Sequence, residues 1–377
     1  MKRLIYADNA ATTKLDIDAF KAMKPYLLDE YGNASQPYSF ARKPKQALKE
    51  ARETIAQCIN AEPGEIYFTS GGTESDNWAI KGVAFADPEK RTIITSQIEH
   101  HAVLRACADI EKQGYPVAYL PATMEGVVTT EALNSVITPN ANLVSVMLAN
   151  NEIGTIEPIK ELCEIAHKNG ALFHTDAVQA VGHILIDVKD LGIDMLSASA
   201  HKFNGPKGIG FLYIKKGTPI GSYVSGGAQE FGMRAGTENI ASVVGMSIAL
   251  KKNCDNLEAN ANYVLNLEKM LLEKLTNANI DFYRNGQYTL PGNVSLSFPG
   301  FEGEMIMHRL DLMNIQVSTG SACDSVNTQI SHVLKATNIN ENVANGTIRI
   351  SLGKNNTEED VKSIAEALIK IVNTQKQ

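Results

Sequence analysis

The sequence predicts an α/β chain, with a large domain built on a mainly parallel seven-stranded sheet and a smaller α+β domain. Two observations carry this reading. Between about residues 65 and 216, seven short apolar runs alternate with helical patterns, and after Asn239 the texture changes to long helical stretches followed by shorter strands. The runs are too apolar throughout to have one wet face, as expected when helices cover both faces of a sheet. Strand–helix repetition of this kind implies parallel pairing.

The seven runs are residues 65–69, 91–95, 116–120, 143–148, 171–175, 195–198 and 210–214; a Gly turn and a helical stretch from Thr73 follow the first. Residues 240–277 carry apolar positions at helical spacing. Residues 294–298 and 347–351 are strand candidates, and 357–372 read as a terminal helix opened by Thr357 ahead of Glu358 and Glu359. The expected division is a large domain over 15–254, and a smaller one formed by 1–14 with 255–377.

Composition narrows the function. The net charge is -7 and the Lys and Arg residues are scattered, which excludes the basic footprint of an autonomous nucleic-acid binder. No apolar run approaches the roughly 18 residues of a membrane span, and Met1-Lys2-Arg3 leads into no apolar signal segment. The five cysteines, Cys58, Cys107, Cys163, Cys254 and Cys323, are odd in number, far apart and without CxxC pairs. Neither a disulfide framework nor a zinc site is expected, and the reading is a reduced, cytoplasmic protein without a metal.

Four stretches carry chemistry. Ser70-Gly71-Gly72-Thr73-Glu74-Ser75 joins a strand to a helix, where glycines let backbone approach a ligand and opening N–H groups can hold a phosphate; the alternative is an ordinary turn. It is neither the dinucleotide fingerprint nor a P-loop. In His174-Thr175-Asp176-Ala177-Val178-Gln179 an acid falls at the C-terminal end of a buried strand, the edge at which open α/β sheets bind ligands. Asp176 could keep a pyridine nitrogen protonated, or cap a helix. In residues 197–208, Lys202 directly follows a buried strand among small polar residues and suits a Schiff base, whereas Lys207 lies in a Gly/Pro turn. Cys323 alone of the cysteines lies in a Gly/Ser-rich, turn-like stretch, Ser318–Ser325, so it is either a nucleophile or an incidental surface thiol. The other thiols sit in helical patterns; Cys58, Cys107 and Cys163 have apolar neighbours, as small core residues do.

Taken in order, these stretches resemble the NifS/IscS-type cysteine desulfurases, fold-type I pyridoxal phosphate (PLP) enzymes of the class V aminotransferase superfamily. The resemblance runs through Tyr6–Thr13, Thr69–Asn77, Glu99-His100, Ala149–Thr155, His174–Gln179, Ser199–Gly210, Arg234–Asn239, Gly320–Cys323 and Ile348–Gly353. It implies that Lys202 forms the Schiff base, Asp176 pairs with the pyridinium, and His100 stacks on the ring and moves protons. Asn151 and Gln179 would contact the phenolic oxygen, and Gly72, Thr73, Ser199 and His201 the phosphate. Thr237 would reach the phosphate of a partner subunit, which implies a homodimer. Arg349 would clamp the substrate carboxylate, with Asn33 and Asn151 near the substrate. Sulfur would pass from L-cysteine to the Cys323 thiolate, releasing L-alanine, and then go to an acceptor protein in iron–sulfur assembly, tRNA thiolation or DNA phosphorothioation. The rivals are a selenocysteine lyase or other small-substrate enzyme of the same fold, and a non-catalytic sulfur-transfer scaffold; retention of Lys202, Asp176, His100 and Cys323 disfavours the last. The chain departs from the family pattern at Asn33–Tyr38, at Gly226–Phe231, where Phe231 replaces Arg, and at Asp324–Ser331.

Overall fold

The computed structural model describes residues 3–87, 92–320 and 330–375. A short strand β1 (Ile5–Tyr6) comes first. The seven expected runs then form β2 (Ile66–Thr69), β3 (Thr92–Ser96), β4 (Val117–Leu120), β5 (Ala141–Ser145), β6 (Leu172–Asp176), β7 (Met195–Ser199) and β8 (Gly210–Ile214). They make one sheet in the order β2-β8-β7-β6-β5-β3-β4. Strands β3 to β7 pair in parallel, and β8 runs antiparallel to both β2 and β7. The sheet is therefore mainly parallel, as expected.

Its uniform apolarity has a direct cause. Ile94, Val144, Leu196 and Phe211 pack into one core with the helices Arg42–Cys58, Ile159–Lys168 and Ile240–Asp255. Their neighbours Ile93, Leu143, Met195 and Leu212 pack into another, with the helices Gly72–Ala86 and His101–Glu111. Successive residues face opposite sides of a strand, and here both sides are dry.

Two expectations shift. The run at 143–148 pairs only to Ser145; beyond it the chain leaves the ladder, while Val146 and Leu148 donate to the backbone of His174 and Asp176 at 3.2 and 2.8 Å. That departure carries Asn150 and Asn151 over the end of the sheet. The helical region at 240–277 is two helices, Ile240–Asp255 and Leu257–Asn277, because Asn256 leaves helical geometry and its side chain takes the Lys252 carbonyl at 2.9 Å.

A third apolar core gathers Ile5 and Ala7 with residues from Val264 to Val372. It surrounds an antiparallel sheet of β9 (Tyr283–Asn285), β10 (Asn293–Ser297) and β12 (Thr347–Ser351), while β11 (Ile315–Gln316) pairs in parallel with β1. The terminal helix is Glu358–Gln375. Thr357 Oγ1 accepts from Asp360 N at 3.2 Å and the Asp360 carboxylate accepts from Thr357 N at 3.0 Å, a reciprocal cap. Val333, Leu334 and Ala344 pack against the large core. No helix among the described residues is long and apolar enough to cross a membrane.

Candidate active site

A cavity of about 540 Å³ lies beyond the C-terminal ends of β6 and β7. Among the described residues, every site residue expected from the sequence lines it except Asn33 and Thr237.

One wall is the turn after β2. Gly71 has φ +150°, which side chains rarely adopt, and a Cβ on Gly72 would stand 2.5 Å from Val178 Cγ2. The turn opens the helix Gly72–Ala86 beside Ser199, with Thr73 exposed at the rim. An ordinary turn would not need both glycines; this one is a cradle that any side chain would fill, at a helix N-terminus.

Asp176 ends β6, is buried, and accepts from Val178 N at 2.9 Å through Oδ1. No helix starts there; the carboxylate closes a turn instead. Burial pushes its pKa up to about 6, against the Val178 N–H and the Lys202 charge, which favour the anion. Lys202 follows β7 on the short turn Ala200–Lys202, half-buried, and donates through Nζ to the carbonyls of Ala10 and Ala11 at 2.5 and 3.0 Å. Lys207 reaches the same cavity but is exposed. The two lysines are thus separated by burial and by the Asp176–Lys202 interaction.

His100 caps the helix His101–Glu111, its Nδ1 accepting from Ala102 N at 3.1 Å. A neutral ring therefore carries its proton on Nε2. His201 Nδ1 lies 3.1 Å from Thr12 Oγ1; burial, then Lys202 and Lys207, push its pKa down to about 4, so it is neutral at neutral pH. Gln179 donates to the Ala10 carbonyl at 3.0 Å.

Arg349, in β12, is 2% exposed. Its Nη1 donates to the Asn151 carbonyl and its Nη2 to Asp8 Oδ1, both at 2.8 Å, while its buried Nε has no hydrogen-bond partner among the described residues. Its backbone exchanges hydrogen bonds of 2.6 and 3.1 Å with Ser318. Cys323 lies outside the described residues.

Asn33 and Thr237 stand apart. Asn33 Oδ1 accepts from Ser35 N at 2.9 Å, and Ser35 Oγ donates to Glu238 at 3.3 Å, which brings the two segments together beside a separate groove. Phe231, with φ +57° and 64% exposed, lies on the same groove. Its ring centroid is 5.1 Å from the Arg52 guanidinium carbon, which also lies 4.3 Å from the Phe68 ring centroid. Glu230 takes Arg52 bidentately at 2.8 Å.

Sequence reasoning missed Asp76, which lines the cavity from the helix Gly72–Ala86, the carbonyls of Ala10 and Ala11, and Asp8 as the partner of Arg349. Asp76 left one signal: an acid on the otherwise apolar face of that helix. The carbonyls left none.

The class-V aminotransferase signature matches residues 5–364. The chain belongs to the class-V aminotransferase family. Members similar to it over their length include the cysteine desulfurase IscS of Clostridium botulinum, 46% identical over all of this chain and 96% of that protein. The IscS of Dictyoglomus turgidum is 48% identical over 99% and 95%. Among solved structures, a NifS-like protein superposes with a TM-score of 0.93 at 37% identity, covering 99% of this chain and 100% of that one. SspA in complex with cysteine superposes with a TM-score of 0.83 at 36% identity, covering 93% and 99%. The family, the fold-type I architecture, the PLP cofactor and the desulfurase activity expected from the motifs are borne out by these relatives. The cavity fits that cofactor on its own terms: a glycine cradle at a helix start for a phosphate, a buried carboxylate for a ring nitrogen, and a half-buried lysine.

Proposed function

We propose that this cavity desulfurates L-cysteine, with Cys323 taking the sulfur and passing it to an acceptor protein. The observation that carries the reading is the convergence of Lys202, Asp176, His100 and Arg349 on one cavity from four distant parts of the chain. Bound there, PLP supplies a carbonyl carbon for the substrate amine and a ring that withdraws electrons from its Cα.

The residues do the rest. Gly72 N–H, Thr73, Ser199 and neutral His201 hold the phosphate, and Asn151 and Gln179 the phenolic oxygen. The Asp176 carboxylate keeps the ring nitrogen protonated. Lys202 Nζ anchors the cofactor and moves a proton at the substrate Cα, with His100 Nε2 as a second proton carrier. Arg349 offers its Nε–H to the substrate carboxylate. The Cys323 thiolate attacks the substrate sulfur, the Cβ–S bond breaks, and its electron pair stays with carbon. After protonation the carbon skeleton leaves as L-alanine and the sulfur stays as a Cys323 persulfide.

Thr237 and Asn33, outside this cavity, belong in our reading to the cavity of a second copy, which makes the working unit a cytoplasmic homodimer. Residues 15–254 form its large domain, and 1–14 with 255–377 its small one.

Arg349→Ala tests the substrate assignment. The substrate carboxylate loses a charge-assisted partner worth about 2–5 kcal/mol, so KM for cysteine should rise about thirtyfold or more. Alanine formation measured against cysteine concentration checks this, and an unchanged KM moves the carboxylate site elsewhere. Arg234 is the poorer candidate, because Glu74 already takes its Nε at 2.7 Å and its Nη2 at 3.1 Å.

The departures after Cys323 and at Phe231 support an acceptor more specialised than a general iron–sulfur scaffold. Alanine release should be accelerated by the acceptor encoded beside this chain's own gene and much less by a standard scaffold protein, because emptying the persulfide starts the next turnover. Equal stimulation by both reduces the departures to neutral variation.

A further inference from the structure

Three carboxyl groups lie close together at the cavity, Asp76 and Asp176 in its lining and Glu99 near them. Asp76 and Asp176 are 1% and 4% exposed, and one carboxylate oxygen of each, with a ring nitrogen of His100, all lie within 4.8 Å of one another. Glu99, fully buried, adds a third charge if ionised, and its field reaches both. Among the described residues, Lys202 is a cation that acts on this group, and it acts on Asp176. Three adjacent buried anions facing one lysine are far too costly to coexist, so protons must remain on some of them.

The partners decide which. Asp176 has a backbone N–H at 2.9 Å and the Lys202 charge, both favouring its anion. Asp76 has neither. One of its oxygens, Oδ1, is buried with no hydrogen-bond partner among the described residues, and the Ser197 hydroxyl is a hydrogen-bonding neighbour of the carboxyl group. An ionised Asp76 would leave half a unit charge on that oxygen. A protonated one leaves only a carbonyl there, and its O–H has a ready acceptor in Ser197 Oγ. The helix start at Gly72 favours an anion, but Asp76 is the fifth residue of that helix, past the first turn in which the effect acts.

The neighbours extend the argument. Ser197 Oγ lies 2.9 Å from His174 Nε2, and His174 Nδ1 lies 2.8 Å from Ser145 Oγ. His174 is completely buried, and burial pushes its pKa down to about 3, so it is neutral and supplies no counter-charge to Asp76 although Nε2 is 3.8 Å from Oδ1. A neutral imidazole has one N–H and one lone pair. The row Asp76–Ser197–His174–Ser145 can therefore be satisfied in only two directions.

We infer that Asp76 is a positioning residue held protonated, donating to Ser197 Oγ, so that Asp176 presents the charge for the cofactor's ring nitrogen. Ser197 then donates to His174 Nε2, and His174 Nδ1–H donates to Ser145. Burial and the Asp176 and Glu99 charges raise the Asp76 pKa well above its ordinary value, in agreement. The groups facing Asp76 are Asp176 and His174 from β6, Ser197 from β7, and Glu99 and His100 from the segment after β3. The inference rests on the reading of Asp176 as the partner of the ring nitrogen.

The test has two readouts. In ¹⁵N-histidine NMR of the cofactor-loaded protein at neutral pH, His174 should be the Nδ1–H tautomer; an Nε2–H tautomer overturns the inference. In a pH titration of the visible absorbance, the wild type should show an alkaline transition, as Asp76 loses its proton, that Asp76→Asn lacks; superimposable titrations overturn it. Should Asp76→Asn not fold, the wild-type tautomer decides alone. Asp176→Asn separates this inference from the one beneath it. Unchanged cofactor affinity in that variant removes Asp176 from the ring nitrogen, whatever the state of Asp76.

Discussion

Lys202→Ala is expected to abolish turnover and to lose the visible absorption of a covalently held cofactor. Lys202 Nζ is held by the Ala10 and Ala11 carbonyls inside the cavity and acts on the buried Asp176. Lys207 reaches the same cavity from an exposed Gly/Pro turn at the rim. Cofactor soaked into the variant should bind reversibly and be removed by dialysis, because the phosphate cradle around Gly71 and Gly72 does not depend on the lysine. Borohydride reduction followed by peptide mapping checks this directly. A reduced adduct that persists in Lys202→Ala and vanishes in Lys207→Ala would reverse the assignment of the two lysines.

Cys323→Ala is expected to keep cofactor and cysteine binding while sulfide and alanine production collapse. In the proposed reaction the thiolate acts only on a substrate already activated, and the other thiols are poorly placed to replace it. Cys107 and Cys163 are buried, and burial pushes both thiols up to about 12. Cys58 and Cys254 are half-buried on the helices Arg42–Cys58 and Ile240–Asp255, and neither lines the cavity. On the N-terminal side of Cys323, Ser318 is tied to Arg349, the proposed carboxylate site, by two backbone hydrogen bonds. Absorbance changes on adding cysteine to the variant, beside an assay for alanine, check both halves. Near-normal alanine formation would show that sulfur leaves by another route.

Much of the fold was legible because it rests on local rules. All seven runs became strands of one sheet, since apolarity on both faces of a strand can be read residue by residue. The misjudged boundaries have tertiary causes. Residues 146–148 are as apolar as a strand, yet they leave the ladder to carry Asn150 and Asn151 over the sheet's end. The helical pattern at 240–277 is continuous in hydrophobicity, but the Asn256 side chain, by taking a carbonyl from the preceding turn, divides it in two.

By itself, the sequence determined the fold class, the family and the chemical parts: glycines before a helix, an acid at a strand end, a lysine after a buried strand, and a cysteine in a Gly/Ser-rich stretch. Each is a property of a few consecutive residues. Only the tertiary structure decided which groups face one another. It put Asp76 beside Asp176, gave Arg349 to Asp8 and the Asn151 carbonyl, and hung Lys202 from a backbone nearly 200 positions away. The reason is physical. Propensity and periodicity act over a turn or a strand, whereas pKa and hydrogen-bond satisfaction depend on groups within a few ångströms, whatever their distance along the chain.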